Sequence, residues 1–127
     1  MDKGVSTVIG NQKIAIPTKK GFIFIRPNDI IRCESNKKYS ICILKNKMQE
    51  ELSLSMKETE SMLKSHGFLR VHHAHLININ HIEKYEKAKD SYSGGLVTMS
   101  SGETVAISKR KKSNFKIQMK KEFDTNS

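Results

Sequence analysis

Short runs of alternating apolar and polar residues dominate the first third of the chain. β-branched and aromatic residues recur at 13–18, 21–27, 29–35 and 39–44, separated by short polar or basic turns. Alternation over about four to eight residues is typical of half-buried strands. Pro27 closes the second run, which favours a strand pair at or near a sheet edge. The pattern predicts strands at these positions, with lysines at the tip of the turn before residue 39.

The clearest helix signal lies between residues 55 and 67. Ser55 and Glu58 have the spacing of a capping box, in which each side chain accepts a hydrogen bond from the other residue's backbone N–H. Gly67 stands where a helix commonly ends with a left-handed residue. The residues between them carry a modest apolar stripe, so the sequence predicts a helix from Met56 to Ser65.

The next segment mixes apolar alternation with a dense polar insert. It predicts a strand at 69–72, a tight turn or short helix near 74–79, and a strand from residue 82. A polar, glycine-containing loop at 89–95 ends that strand.

The last part of the chain predicts a hairpin and a helix. Residues 96–107 have the pattern of two strands, with Ser101 and Gly102 as the two-residue turn, and a helix follows Ser108. No strand–helix–strand alternation is present. The sequence therefore predicts a mostly β domain of short, mainly antiparallel strands with two or three short helices.

Length and composition are those of a single globular domain. The chain has 127 residues, 36% of them hydrophobic and 28% charged. We expect the domain to span residues 13–123, after a tail or linker remnant at 1–12 and before a disordered tail at 124–127.

The sequence has neither a run of about 18 apolar residues nor the apolar core of a signal peptide, which favours a cytoplasmic protein that contacts no membrane. Cys33 and Cys42 are too few for a disulfide scaffold and too far apart for a CxxC pair. They are expected to be reduced, half-buried thiols.

The net charge of +10 indicates an anionic partner. Nucleic acid is the commonest such partner, followed by an acidic membrane surface and an acidic protein. The last 22 residues carry seven basic residues against two acidic ones. A basic interaction module that binds an acidic protein or an anionic surface without reading bases remains an alternative.

The basic residues after Ser108 lie at an unfavourable place. Lys109, Arg110, Lys111 and Lys112 occupy the first helical turn, where the helix dipole disfavours cations by roughly 0.3–1 kcal/mol each. The free backbone N–H groups and the cations together would suit one phosphate, and Arg110 is long enough to reach a guanine edge with two hydrogen bonds.

The histidine cluster at His72, His73 and His75, with His81 beyond it, permits three interpretations. The residues could hold a metal, serve ordinary structural roles, or contact a phosphate or base. No neighbouring Cys or acid completes a metal site. Paired carboxylates, a nucleophile triad and a glycine-rich phosphate loop are also missing, so we expect no enzyme and no cofactor.

The segments DIIRCES, FLRVHHAHLININHIEKY and SSGETVAISKRKK closely resemble the LytTR DNA-binding domain, and the resemblance runs from about Lys13 to Phe123. It is most specific at Phe68, Arg70, His72, Asn78, Ile82, Gly102, Ile107, Ser108 and Arg110. It implies an elongated fold of about ten short strands. The loops of such a fold enter successive grooves on one face of duplex DNA.

The resemblance also implies which residues meet DNA. Its base-contacting positions correspond to Tyr39, His73 and Arg110. Well-described members have His at the first position and Arg or Asn at the second, so the residues at 39 and 73 depart from them. The expected phosphate contacts are Lys37, Lys38, His72, Ser108, Lys109, Lys111 and Lys112.

The function implied is sequence-specific binding of double-stranded DNA by a transcription regulator. Such domains usually form the output half of a two-component response regulator, behind a receiver domain controlled by a sensor kinase, and pair on two direct repeats. Self-association on DNA is therefore expected. The chain is either such an output half or a stand-alone regulator, and the strand at 13–18, which resembles the usual strand after the linker, favours the first.

Overall fold

The structure, a computed structural model, describes residues 12–123 of the chain. The tails expected at 1–12 and 124–127 lie outside this range except for Gln12. Within it, ten strands form three antiparallel sheets, accompanied by two α-helices and four short 3-10 helices. The predicted mostly β, antiparallel fold is confirmed.

A two-stranded hairpin opens the described part of the chain. Strand β1 (Ile14–Thr18) pairs with β2 (Gly21–Ile25) across a turn at residues 19–20, as the sequence predicts. One face of the hairpin packs on the core. The other exposes Phe22 and Phe24, whose relative accessibilities are 61% and 66%.

A five-stranded antiparallel sheet forms the centre of the domain. In spatial order its strands are β5 (Gln49–Leu52), β4 (Tyr39–Leu44), β3 (Ile30–Asn36), β7 (His75–Asn78) and β6 (Phe68–His72).

Two strands of this sheet differ from the sequence prediction. The sequence does not predict β5, whose acidic QEEL stretch becomes a strand because the turn at 45–48 folds it back beside β4. At 74–79 the prediction of a turn or short helix is largely wrong, because four of those residues form β7 and only 79–81 are 3-10 helical. The polar Asn78 is part of the sheet packing: its Nδ2 donates to the Ile30 carbonyl at 3.0 Å.

The third sheet has β9 (Ser93–Met99) at its centre, between β8 (Ile82–Glu86) and β10 (Thr104–Ser108). The two-residue turn predicted at Ser101 and Gly102 is wrong. The loop has three residues, 100–102, because the N–H of Met99 already donates to the Glu103 carbonyl. Gly102 closes it with φ of 91°, a left-handed conformation typical of such loops.

Helix α1 (Met56–Leu63) begins with the predicted capping box. The backbone N–H of Glu58 donates to Ser55 Oγ at 3.1 Å, and that of Ser55 donates to Glu58 Oε1 at 2.9 Å. The helix ends slightly before the predicted residue 65 because residues 64–66 tighten into a 3-10 turn. Gly67 follows with φ of 86°, in the expected left-handed conformation.

Two hydrophobic cores cover the two faces of the central sheet. The first lies between this sheet, the β1–β2 hairpin and α1; its buried members are Ile16, Ile30, Cys33, Cys42, Leu52, Met56, Leu63, Phe68 and Leu76. The second lies towards the third sheet and helix α2 (Lys112–Glu122); its buried members are Ile31, Val71, Ile77, Val97, Met99, Val105, Ile107 and Phe115. The central strands are thus held from both sides.

Cys33 and Cys42 are more deeply buried than predicted. They are free thiols, as expected, but both are fully buried where β3 pairs with β4, with 3.3 Å between their Sγ atoms. A hydrogen bond with Cys42, together with burial, raises the pKa of the Cys33 thiol well above its ordinary value. Cys33 is therefore a protonated core thiol, and Cys42 is buried beside it.

Candidate nucleic-acid interface

Two turns of the central sheet lie along the same edge, the one where these strands end rather than the side of an outer strand. Residues 37–38 join β3 to β4, and residues 73–74 join β6 to β7. Because β3 and β7 are antiparallel neighbours, the end of one meets the beginning of the other, and the N–H of Ser35 donates to the Ala74 carbonyl at 3.0 Å. Tyr39 and His73, far apart in sequence, therefore lie at one edge.

The turn between β10 and α2, residues 108–111, joins them. Ser108 Oγ accepts a hydrogen bond from the Lys111 N–H at 3.3 Å, so the predicted cap is confirmed, although it caps a 3-10 turn at 109–111 from which α2 continues. This turn and the β6–β7 turn enclose an open cleft of about 370 Å³, lined by Arg70, His73, Ser108, Arg110 and Lys111. We call the edge formed by the three turns the basic edge.

Arg110 has the freedom that a base-contacting residue requires. Its side chain is exposed and forms no ion pair or hydrogen bond with any residue between 12 and 123. Its cleft has no acidic lining residue. The guanidinium is therefore available to an external anion or base.

Tyr39 lines a second cleft, farther along the basic edge, with a volume of about 650 Å³. Lys19 Nζ and Lys38 Nζ lie 5.5 Å and 5.4 Å from the centroid of its ring. Lys37 adopts φ of 57°, a left-handed turn conformation. Tyr39 and Arg110 thus share an edge but not a cleft, and His73 lies with Arg110.

Arg70 supports the β6–β7 turn from beneath. Its Nε donates to the His72 carbonyl at 3.0 Å, and its Nη2 donates to the His73 carbonyl. Its Nη1 pairs with Glu60 Oε1 on α1 at 2.9 Å. One guanidinium therefore connects the turn to the helix.

The histidines of the turn are close together. The ring centroids of His72 and His73 are 4.5 Å apart, and those of His72 and His75 are 5.3 Å apart. Burial, and then the charges of His73 and Arg70, lower the pKa of His72. Burial, and then His72 and Arg32, lower the pKa of His75. The neutral forms of His72 and His75 are thus favoured at neutral pH.

His81 has a structural position away from the basic edge. Its Nε2 donates to the Asn28 carbonyl at 2.8 Å, and its Nδ1 lies 2.7 Å from Ser100 Oγ. In the described part of the chain, no three His, Cys, Asp or Glu side chains are grouped to hold a metal ion.

The remaining predicted phosphate contacts lie in or beside the three turns. Lys37 and Lys38 are exposed in the β3–β4 turn, and Lys109 is exposed in the β10–α2 turn. His72 ends β6, and Lys112 begins α2; both are half-buried. The structure thus brings the predicted site residues to one basic edge.

Comparison with known proteins identifies the family. A family model described as the LytTr DNA-binding domain matches residues 20–120. The chain belongs to the LytTR family of DNA-binding domains. No curated protein sequence matches it.

The fold of this LytTR domain is also found in a solved structure. It is similar, with a TM-score of 0.70 and 23% sequence identity, to the LytTr DNA-binding domain of a Bacillus cereus protein named as a methyl-accepting/DNA response regulator. The match covers 87% of this chain and 98% of that one. Among the described residues, no helix of this LytTR domain is both long and apolar enough to cross a membrane.

Two residues at the basic edge were not given a role by the sequence. Arg70 is part of the family resemblance, but only the folded turn shows that it holds two carbonyls. Lys19 belongs to a turn that the sequence marks only as a strand boundary. Its proximity to Tyr39 depends on how the β1–β2 hairpin packs, which no local pattern encodes.

Proposed function

We propose that this LytTR domain binds duplex DNA sequence-specifically, through its basic edge, as the output domain of a transcription regulator. The observation that carries the proposal is the exposed Arg110, which has no acidic partner among the described residues and shares a cleft with His73. Arginine suits guanine because its two parallel donors match the O6 and N7 acceptors of the major groove.

The residues of the basic edge divide into two roles. Arg110, His73 and Tyr39 contact bases, one in or directly beside each turn. The phosphate contacts come from the surrounding residues, which are Lys37, Lys38, His72, Ser108, Lys109, Lys111 and Lys112. Phosphate contacts set position and affinity, whereas base contacts set sequence preference.

The decisive experiment compares Arg110→Ala with Lys111→Ala on a duplex selected from a random library and on a random duplex. Arg110→Ala should lose preference for the selected sequence, about 1–3 kcal/mol of discrimination at the contacted base pair. Lys111→Ala should weaken both duplexes alike, because a phosphate contact is independent of sequence. Equal losses on both duplexes for Arg110→Ala would exclude Arg110 as a base-reading residue.

The same titrations across salt concentrations measure the phosphate contacts. With about five phosphates engaged, log K should fall with log salt at a slope of roughly −4 to −5. Binding to anionic vesicles or to an acidic protein as tightly as to duplex DNA would instead favour a basic module that reads no bases.

The regulatory setting is inferred from resemblance. We place the domain in the cytoplasm, following a receiver domain that is controlled by a sensor kinase. Two copies associate on direct repeats. The similar Bacillus cereus protein is named as a response regulator, which supports this setting. Binding to a duplex with two half-sites, compared with one, tests the pairing.

A further inference from the structure

We propose that the tip of the β1–β2 hairpin, Lys19 and Lys20, is a fourth DNA-contacting element, and that a backbone phosphate occupies the cleft between this tip and the β3–β4 turn. The inference rests on the proposed function. It extends the interface beyond the three turns of the basic edge.

The packing of the hairpin places its tip at the basic edge. The Pro17 carbonyl, near the end of β1, accepts a hydrogen bond from the Ser53 N–H at 3.1 Å. Ser53 directly follows β5, whose last residue, Leu52, pairs with Ser40 at the beginning of β4. The turn at residues 19–20 therefore comes next to the β3–β4 turn.

The cleft at this junction has the chemistry of a phosphate site. It is lined by Lys19, Asn36, Lys37, Lys38, Tyr39, Glu51 and Leu52, so that three ammonium groups and a phenol accompany one carboxylate. Lys19 and Lys38 both lie over the Tyr39 ring. Their ammonium groups are therefore within about 11 Å of each other, close to the screening length of roughly 10 Å at 0.1 M salt.

The ammonium groups at this cleft are not neutralised by ion pairs within the described part of the chain. Neither the hairpin lysines nor those of the β3–β4 turn form an ion pair with an acid between residues 12 and 123. Neighbouring like charges repel one another until an anion binds between them. A phosphate in the cleft would relieve this repulsion.

The dimensions of the edge favour backbone contact over base contact for the hairpin. Adjacent strands are about 4.8 Å apart, so the five central strands alone span roughly 19 Å. The major groove is only about 12 Å wide. The hairpin packs beside the end of β5, at the opposite side of the central sheet from the β10–α2 turn, which packs on β6. We therefore assign its tip to the phosphates that flank the groove.

The test removes both hairpin charges in the double variant Lys19→Gln/Lys20→Gln. Each lost phosphate contact should make the salt slope about 0.9 shallower and weaken binding roughly five-fold near 0.15 M salt, equally on selected and random duplexes. The matched control, Lys47→Gln/Lys64→Gln, removes two exposed charges from turns at the opposite edge of the central sheet. The control should leave the slope within about half a unit of wild type.

The outcomes separate this inference from the proposed function. If the wild-type domain binds duplex DNA and Arg110→Ala loses sequence preference, but the hairpin variant keeps the wild-type slope, then only the hairpin assignment is overturned. If the wild-type domain does not bind duplex DNA, the proposed function fails and this inference fails with it.

A measurement on the unaltered protein gives the same decision if the variant folds poorly. Amine acetylation followed by mass spectrometry should show Lys19 and Lys20 protected several-fold by duplex DNA, with Lys47 unprotected. Lysines 19 and 20 reacting equally fast with and without DNA would overturn the proposal.

Discussion

Arg70 illustrates how one side chain can set the shape of a contact loop. Its guanidinium donates to two successive carbonyls of the β6–β7 turn and to Glu60 on α1. The planar fork of arginine fits this arrangement, whereas the single ammonium of lysine cannot replace all three bonds. The position of His73 on the basic edge therefore depends on a residue that points inward.

Arg70→Lys should weaken binding to the selected duplex more than binding to a random duplex. The charge is kept, but the turn that presents His73 loses its support. A loss of about 1–3 kcal/mol in unfolding free energy is also expected, because hydrogen bonds to the partly buried Glu60 and the turn carbonyls are broken. Titration of the variant with both duplexes measures the preference, and urea denaturation measures the unfolding free energy. An unchanged preference ratio would exclude the supporting role.

The sequence alone leaves the role of the histidine cluster open. Three imidazoles within four residues are compatible with a phosphate or base contact, with ordinary structural roles or with a metal site, although no neighbouring Cys or acid favours the metal. The structure places the histidines in different surroundings. His72 and His73 lie at the basic edge, His75 lies inside the sheet pairing between β3 and β6, and His81 connects to Asn28 and Ser100 in the fold.

Among the elements, those with a strong local signal were predicted well. The alternation at 39–44 and the capping box at Ser55 each specify a structure through neighbouring residues, and both are confirmed. β5 and β7 carry no such signal. Each is only four residues long and becomes a strand because a longer strand lies beside it. Tertiary pairing overrides weak local preference in such strands.

Two serine caps provide a matched test at this scale. Ser55 caps α1, and Ser108 caps the turn that begins α2. Ser55→Ala and Ser108→Ala should each lower the unfolding free energy by about 1 kcal/mol. Only Ser108→Ala should also weaken DNA binding, because Ser108 is a proposed phosphate contact. Thermal unfolding and duplex titration of both variants decide this, and equal DNA affinity for the two would remove Ser108 from the interface.

Across the whole molecule, Arg32 joins the central sheet to the third sheet. It lies in β3, almost buried, and its Nη2 donates to Glu103 Oε2 at 3.0 Å beside the β9–β10 loop. Its Nη1 donates to Glu34 Oε1 at 2.7 Å. Burial lowers the pKa of Arg32, but the two carboxylates together outweigh it and raise the pKa overall. Its hydrogen bonds lower the pKa of Glu103.

The stability of the domain should therefore depend on pH through Glu103. A carboxylate whose pKa is lower in the folded state contributes stability above its ordinary value of 4.5, and this contribution is lost as pH falls through the lower folded value. Glu103→Gln should remove that part of the pH dependence, whereas Glu86→Gln, an exposed acid on β8, should keep it. Urea denaturation between about pH 3 and pH 6 measures the difference. Identical pH profiles for wild type and Glu103→Gln would contradict the link.

The location of the site was only partly predictable at this scale. The basic turn after β10 can be recognised from sequence because its charges are consecutive. The alignment of Lys19, Tyr39, His73 and Arg110 along one edge depends on the strand order β5–β4–β3–β7–β6 and on hairpin packing. These are contacts between distant parts of the chain, and composition and periodicity do not predict them.

Because separate cores cover both faces of the central sheet, the side chains that stabilise the domain are different from those proposed to contact DNA. Residues that hold the domain together are buried in the two cores, whereas those proposed to read DNA lie in or directly beside connecting turns. Surface substitutions away from caps and networks usually alter stability by no more than about 0.5 kcal/mol. Under the proposed function, we therefore expect exchange of the residues at 39, 73 and 110 to change the preferred duplex sequence while the scaffold stays intact.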